Sequence, residues 1–287
     1  MRIRKSANFP CQPRRSFHKS YPLSTNMFSH TQTFCARNAF FTLLRKEIIR
    51  FKKVAFHTIA APVLSSLLYL IIFGAALQNQ VVSTSSIPYS NFLVPGLVMM
   101  AVLQNAFANS SSSFVQSKIS GTLTFLLVTP LSNSMIATAY ILSSVLRGLI
   151  VGFCVWLGTT IWVTPSFNCM TWILIFSLLG AFVMASLGLI TAIWSDRYEQ
   201  MGVVQTFFVM PMTFLSGIFY SCETLPSPWR ELTTLNPLYY LIDGFRGGFL
   251  GYFETDPFIA CIWGLGVCIF AFSTCVWFLK KGYKIKN

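Results

Sequence analysis

Acidic residues are scarce in this chain. Eight Asp and Glu stand against 21 Lys and Arg, and charged residues make up only 10% of 287 positions. A water-soluble domain of this length needs far more charge to cover its surface. Catalytic signatures are missing too. No GxxxxGK[ST] is present, so no nucleotide is expected on a P-loop, and neither HExxH nor GxSxG occurs. The eight cysteines form no CxxC pair, which removes zinc-ribbon and thioredoxin-type chemistry. The three histidines (18, 30, 57) are far apart. No catalytic, metal or cofactor residues are therefore assigned. What the chain does have is apolar bulk: 54% hydrophobic residues, 28 Phe and a mean hydropathy of +0.61. That composition belongs to a membrane protein.

A bilayer core about 30 Å thick needs ~20 apolar residues per helix. Six stretches qualify: 54–77, 91–109, 134–163, 169–194, 201–219 and 257–279. Only the third carries a charge, Arg147. With no Asp or Glu in any of them, a carboxylate proton relay is not expected. Arg147 needs a partner or water at that depth. The second stretch offers Gln104, Asn105 and Asn109. A structural contact between helices and a role in a translocation path both remain open for Arg147. Cys261, Cys268 and Cys275 repeat every seven residues and read as small apolar groups on one helix face. Cys169 and Cys222 fall in outer segments, where a disulfide or two separate thiols are both possible.

Charge asymmetry sets the orientation. Residues 1–53 carry twelve Lys/Arg and one Glu, and the tail "KKGYKIKN" (280–287) adds four cations. Residues 220–256 hold five acids and two Arg. Six spans with both basic ends in the cytoplasm satisfy the positive-inside rule. The basic residues flank apolar spans and form no separate module, so the bilayer is the expected partner and nucleic acid is not.

Residues 1–35 contain no acid and three prolines. They read as a basic disordered cytoplasmic tail, with an organellar transit segment as the alternative. Residues 36–53, "ARNAFFTLLRKEIIRFKK", place Phe40, Leu43, Leu44, Ile48 and Phe51 at helical spacing among basic residues. This is an amphipathic helix suited to the headgroup plane. The serine-led inner loop 110–133 carries Phe114, Val115, Ile119, Leu123, Leu126 and Leu127 in a short helical pattern, with Lys118 and Gly121 upon it. Such a helix either tucks against the bilayer or docks into a soluble partner.

The outer segment opens with "SCETLPSPWREL", where Pro226 and Pro228 are expected to break regular structure. Asn236-Pro237 then marks a helix start, with Asn as the cap and Pro in the first turn. On the helix that follows, Asp243 and Arg246 are spaced to pair, and Gly244 and Gly248 permit close helix contact. At ~20 Å this helix is too short to cross. It reads as re-entering the outer leaflet with its charges near water.

Four stretches carry a family resemblance: "NFLVPGLVMMAVLQNAFANSSSSF", "LLVTPLSNSMIATAY", "FLSGIFYSCETLPSPW" and "NPLYYLIDGFRGGFLG". They resemble the ABC-2 type transporter permeases over residues 36–282, in order and spacing. The resemblance implies an all-α integral membrane fold: an amphipathic connecting helix (36–53), a six-helix transmembrane domain (54–282) and a short cytoplasmic tail (283–287). It also implies a cytoplasmic coupling helix carrying Phe114, Lys118, Gly121, Leu123 and Phe125. Outer re-entrant helices between spans five and six would carry Asn236, Pro237, Asp243, Gly244, Arg246 and Gly248. Function is implied likewise: the permease subunit of an exporter in a bacterial inner membrane, or, alternatively, in an organellar membrane. It would work as a homodimer with two copies of a separate ABC ATPase chain that binds ATP and Mg. The stretch "SGTLTFLLV" (120–128) departs from the family, whose members often carry charged residues there, paired acids among them. A non-transporting scaffold with the same fold is the alternative that this departure keeps open.

Overall fold

The computed structural model describes residues 25–76, 88–129, 131–163 and 167–282. Residues 1–24 and 283–287, most of the expected tails, lie outside the described residues, as does most of the stretch between the first two expected spans, 78–90. The described residues form ten α-helices with a π turn and a 3-10 turn between them. Five helices are long and apolar enough to cross a membrane, in the segments Arg37–Gly74, Tyr89–Ile119, Asn133–Thr159, Met170–Trp194 and Pro257–Lys281. The chain is an all-helical, multi-pass membrane protein.

Helix α1 (Thr25–Ala76) is continuous. It begins inside the stretch read as a tail and runs without a break from the amphipathic segment into the first span. Helix α2 (Tyr89–Ile119) extends ten residues beyond the expected end at 109. The serines read as opening a loop are helical: Ser110, Ser111 and Ser112 each donate to a carbonyl three or four residues back in α2. That local bonding lets polar residues stay in a helix. A short helix α3 (Thr122–Val128) follows, started by Gly121 at φ +70, a conformation that suits Gly because it has no Cβ.

Helices α4 (Asn133–Thr159) and α5 (Met170–Trp194) pack on α2, which is the centre of the molecule. The apolar stretch of α2 is 83% buried, whereas that of α1 is 11% buried. Gly148 and Gly152 of α4, and Gly180 and Gly188 of α5, face α2 where a Cβ would strike it. Small residues at crossings of this kind let helix backbones approach in lipid.

The expected span 201–219 is not one uniform helix. Helix α6 (Tyr198–Val204) passes through a π turn (Gln205–Val209) into α7 (Met210–Phe214), and the chain turns away at Gly217. Pro211 sits just after the π turn; its lack of an N–H goes with such a local change of register. The run reaches about 25 Å, short of a full core.

Pro226 and Pro228 start a helix rather than break one. They precede and open α8 (Ser227–Leu235), as proline's fixed φ allows at a first turn. Trp229, Leu232 and Leu235 lie exposed along α8. Helix α9 (Pro237–Leu250) begins as expected, with the Asn236 side chain accepting from the Leu238 N–H. Helix α10 (Pro257–Lys281) closes the fold, packing Cys268 and Cys275 inward rather than into lipid. Cys169 and Cys222 are free thiols.

Candidate functional site

Three polar clusters sit in this apolar frame. At the end of α2 and on α3, the five residues expected at the coupling helix separate into two groups. Phe114 and Leu123 are buried, with Phe114 edge-on to Tyr140. Phe125 is 78% exposed and Val128 83%, and Ile119 is also exposed. An uncovered apolar rim is thus left on and beside α3. Lys118 turns toward α5, where its Nζ donates to the Ile193 and Ser195 carbonyls at 3.1 and 3.0 Å. The same Nζ meets Asp196 at 2.8 Å. A cation on the last carbonyls of a helix meets the negative end of its dipole. Lys118→Met is expected to cost ~1–2 kcal/mol of stability through these carbonyl bonds. Asp196→Asn should cost less than ~1 kcal/mol, because Asp196 is about half exposed. Thermal unfolding of the two variants in detergent checks the order, and equal losses would contradict it.

The second cluster lies at the opposite end of α2. Asp243 and Arg246 of α9 are 1% and 2% exposed, which corrects the expectation that they lie near water. The reason is a set of partners distant in sequence. Arg246 donates to the Gly217 carbonyl at 2.8 Å and meets Asp243 at 3.4 Å and Glu254 at 3.5 Å. Its guanidinium lies 4.2 Å from the Phe92 ring centroid. Asp243 accepts from the Thr255 and Glu254 N–H groups, and Glu254 from the Cys222 N–H and the Tyr239 hydroxyl. Burial pushes the Asp243 carboxyl above its ordinary range, and Arg246 pulls it back. Burial and the neighbouring Glu254 push the Tyr239 phenol up, keeping its proton available to Glu254. Asn236 caps α9 and also donates to the Met212 carbonyl and Ser216 hydroxyl. Pro237 takes the first turn. A Cβ at Gly244 would strike Phe176, and one at Gly248 would lie 2.7 Å from Ile173, so α9 sits close against α5.

The third cluster joins α1, α2 and α4. Arg147 donates to Asn109 Oδ1 at 2.9 Å and to Thr58 Oγ1 at 3.3 Å. Of the three partners offered by α2, only Asn109 is used. Asn105 bonds the Ala101 carbonyl of its own helix, and the buried Gln104 Nε2 has no partner among the described residues. Arg50 also donates to Asn109 Oδ1, at 3.0 Å, and to Gln116 at 2.9 Å. Glu47, with a side chain 1% exposed, lies 3.4 Å from both Lys46 and Arg50 and accepts from the Ser113 hydroxyl. Sequence reasoning missed the inward role of Glu47 and Arg50. The signal was present: Glu47 is the one acid among the twelve bases of residues 1–53.

These clusters tie helices together and hold α3 and α9 at opposite ends of α2. Among the described residues there is no group of three or more His, Cys, Asp or Glu placed to hold a metal. Comparison with known proteins agrees with the sequence resemblance. The profile of the ABC-2 type transporter family matches residues 38–250. The inner membrane transport permease YadH of Escherichia coli (strain K12) is 35% identical over 243 residues, covering 84% of this chain and 94% of that protein. Nodulation protein J of Rhizobium meliloti (strain 1021) is 27% identical over 213 residues, covering 72% of this chain and 79% of its own length. With the match spanning α1 to α9, the chain belongs to the ABC-2 type transporter family.

Proposed function

We propose that this chain is the permease subunit of an ATP-driven exporter in a bacterial inner membrane. Two copies pair, and two copies of a separate ABC ATPase chain bind ATP and Mg and drive them. The chain itself holds no cofactor. The observation that carries the reading is the rim of Ile119, Phe125 and Val128, uncovered beside a Lys118 fixed to the end of α5. A partner seated on α3 would act on the central helix α2 directly and on α5 through Lys118. In this reading α6–α7 is the fifth of six spans, despite its short reach. Helices α8 and α9 re-enter the outer leaflet, with the exposed Trp229, Leu232 and Leu235 at the interface. Both termini are cytoplasmic, the side favoured by the basic residues.

The scaffold alternative draws support from the same place. Helix α3 reads "TLTFLLV" and offers a partner no charge. One experiment separates the two. The chain is co-expressed with each ABC ATPase of its own genome that lacks a fused permease, as parent and as Phe125→Glu/Val128→Glu. The exporter reading expects ATPase co-purification with the parent and its loss in the variant, with thermal unfolding unchanged because both side chains are exposed. A variant that keeps the ATPase overturns the assignment of α3. A parent that never binds one favours the scaffold.

A further inference from the structure

Between the middle of α1 and the end of α2 lies a cavity of about 510 Å³. Helix α1 contributes Lys46, Glu47, Ile49, Arg50 and Lys53 to its wall. Across from them are the hydroxyls of Ser113, Ser117, Ser120 and Thr122 and the Gln116 amide. Three cations therefore face one carboxylate. Glu47 is already held by Ser113, Lys46 and Arg50. Lys53 is exposed and has no ion pair among the described residues. The balance of the wall is positive, which disfavours a metal cation and favours an anion. Hydroxyl donors placed beside Lys and Arg suit the several acceptor oxygens of a phosphate. Ile49 and the lysine stems add an apolar border of the kind a glycerol backbone meets.

We propose that this cavity binds a phosphate ester, with Lys46, Arg50 and Lys53 supplying the charge and the Ser117 hydroxyl, which accepts from Lys46 and Tyr140 and keeps its own proton to donate, a hydrogen bond. The ester belongs either to a glycerophospholipid headgroup or to a soluble phosphate. The site lies between α1 and the end of α2, with Thr122 of α3 at its edge, and none of the rim residues Ile119, Phe125 and Val128 lines it. It relies on the topology proposed above only for naming the leaflet that faces it.

The test uses the full chain in a neutral detergent, without any ATPase, so it stands apart from the exporter assignment. Native mass spectrometry follows the binding of phosphatidylglycerol and of diacylglycerol with the same acyl chains. Phosphatidylglycerol is expected to bind and diacylglycerol, which lacks the phosphate, is not. Lys46→Gln/Lys53→Gln should weaken phosphatidylglycerol about thirtyfold, at ~1 kcal/mol for each basic residue. Arg45→Gln/Lys52→Gln removes the same charge from exposed positions outside the cavity and should change binding less than about threefold. All four side chains are exposed, so folding is expected to persist and is checked by thermal unfolding. Millimolar inorganic phosphate, against chloride at matched ionic strength, identifies the source. Displacement of the lipid by phosphate assigns a soluble occupant, and its failure assigns the headgroup. Equal losses in the two double variants would mean a generally basic helix surface and overturn the site. Equal binding of the two lipids would overturn it as well.

Discussion

Arg246→Ala will lose about 3–5 kcal/mol of stability, the cost expected when one partner of a buried ion network is removed. The substitution leaves the Asp243 and Glu254 carboxylates facing each other in the interior, where both had answered to one guanidinium. It also orphans the Gly217 carbonyl, which holds the turn after α7. Arg246→Lys will not restore the parent. An ammonium cannot span the carbonyl, the two acids and the Phe92 face with a planar fork. Thermal unfolding of detergent-purified protein, with folded yield on size exclusion, measures the effect. A midpoint within 2 °C of the parent, a shift corresponding to less than ~1 kcal/mol, would show that the network contributes little.

Gly188→Leu will disrupt the packing of α5 on α2. A Cβ at this position would lie 2.5 Å from the Phe107 carbonyl oxygen and closer still to the Ser110 hydroxyl. The Phe107 obstacle is backbone, so repacking side chains does not remove it, and Ser110→Ala will not rescue the variant. Overpacking of this sort costs ~1–3 kcal/mol for a single added methyl, as in Gly188→Ala, and more for Leu. Gly266→Ala is the control. It lies on a helix of the same membrane domain with nothing within 4 Å of its would-be Cβ. Its stability should match or slightly exceed the parent's, since Ala favours the helix over Gly by up to ~1 kcal/mol. Equal losses at Gly188 and Gly266 would mean that α2 and α5 are not in close contact.

Most of the long helices were legible in the sequence because lipid imposes a crude requirement, an uninterrupted apolar run of sufficient length. The start of α9 was legible because Asn-Pro states its own local chemistry. Three features were not. The serines of α2 look like a loop until their hydroxyls are seen bonded to their own helix. Asp243 and Arg246 look solvated because their partners, Gly217 and Glu254, lie on other segments. Residues 201–219 read as one span, yet the π turn and Pro211 break it and the helical run ends at Phe214. In each case the deciding contact is either too local or too distant for hydrophobic periodicity to register. Of the three large apolar side chains expected on the coupling helix, only Phe125 is exposed. Phe114 and Leu123 share its apolar character, but their place in the interior is set by packing against Tyr140 and the rest of the core.

The contrast between α1 and α2 bears on biogenesis. Few side chains in the apolar stretch of helix α1 are fully covered by its siblings, so it can leave the translocon and settle in lipid on its own hydropathy. Helix α2 carries Gln104, Asn105, Asn109 and a run of serines through the interior, and nearly all of its apolar stretch is covered by protein. Alone in a bilayer it would present those groups to acyl chains. Its stable residence therefore awaits the synthesis of α4 and α5. A nascent chain halted after residue 129 will keep its first helix in the membrane and hold its second poorly.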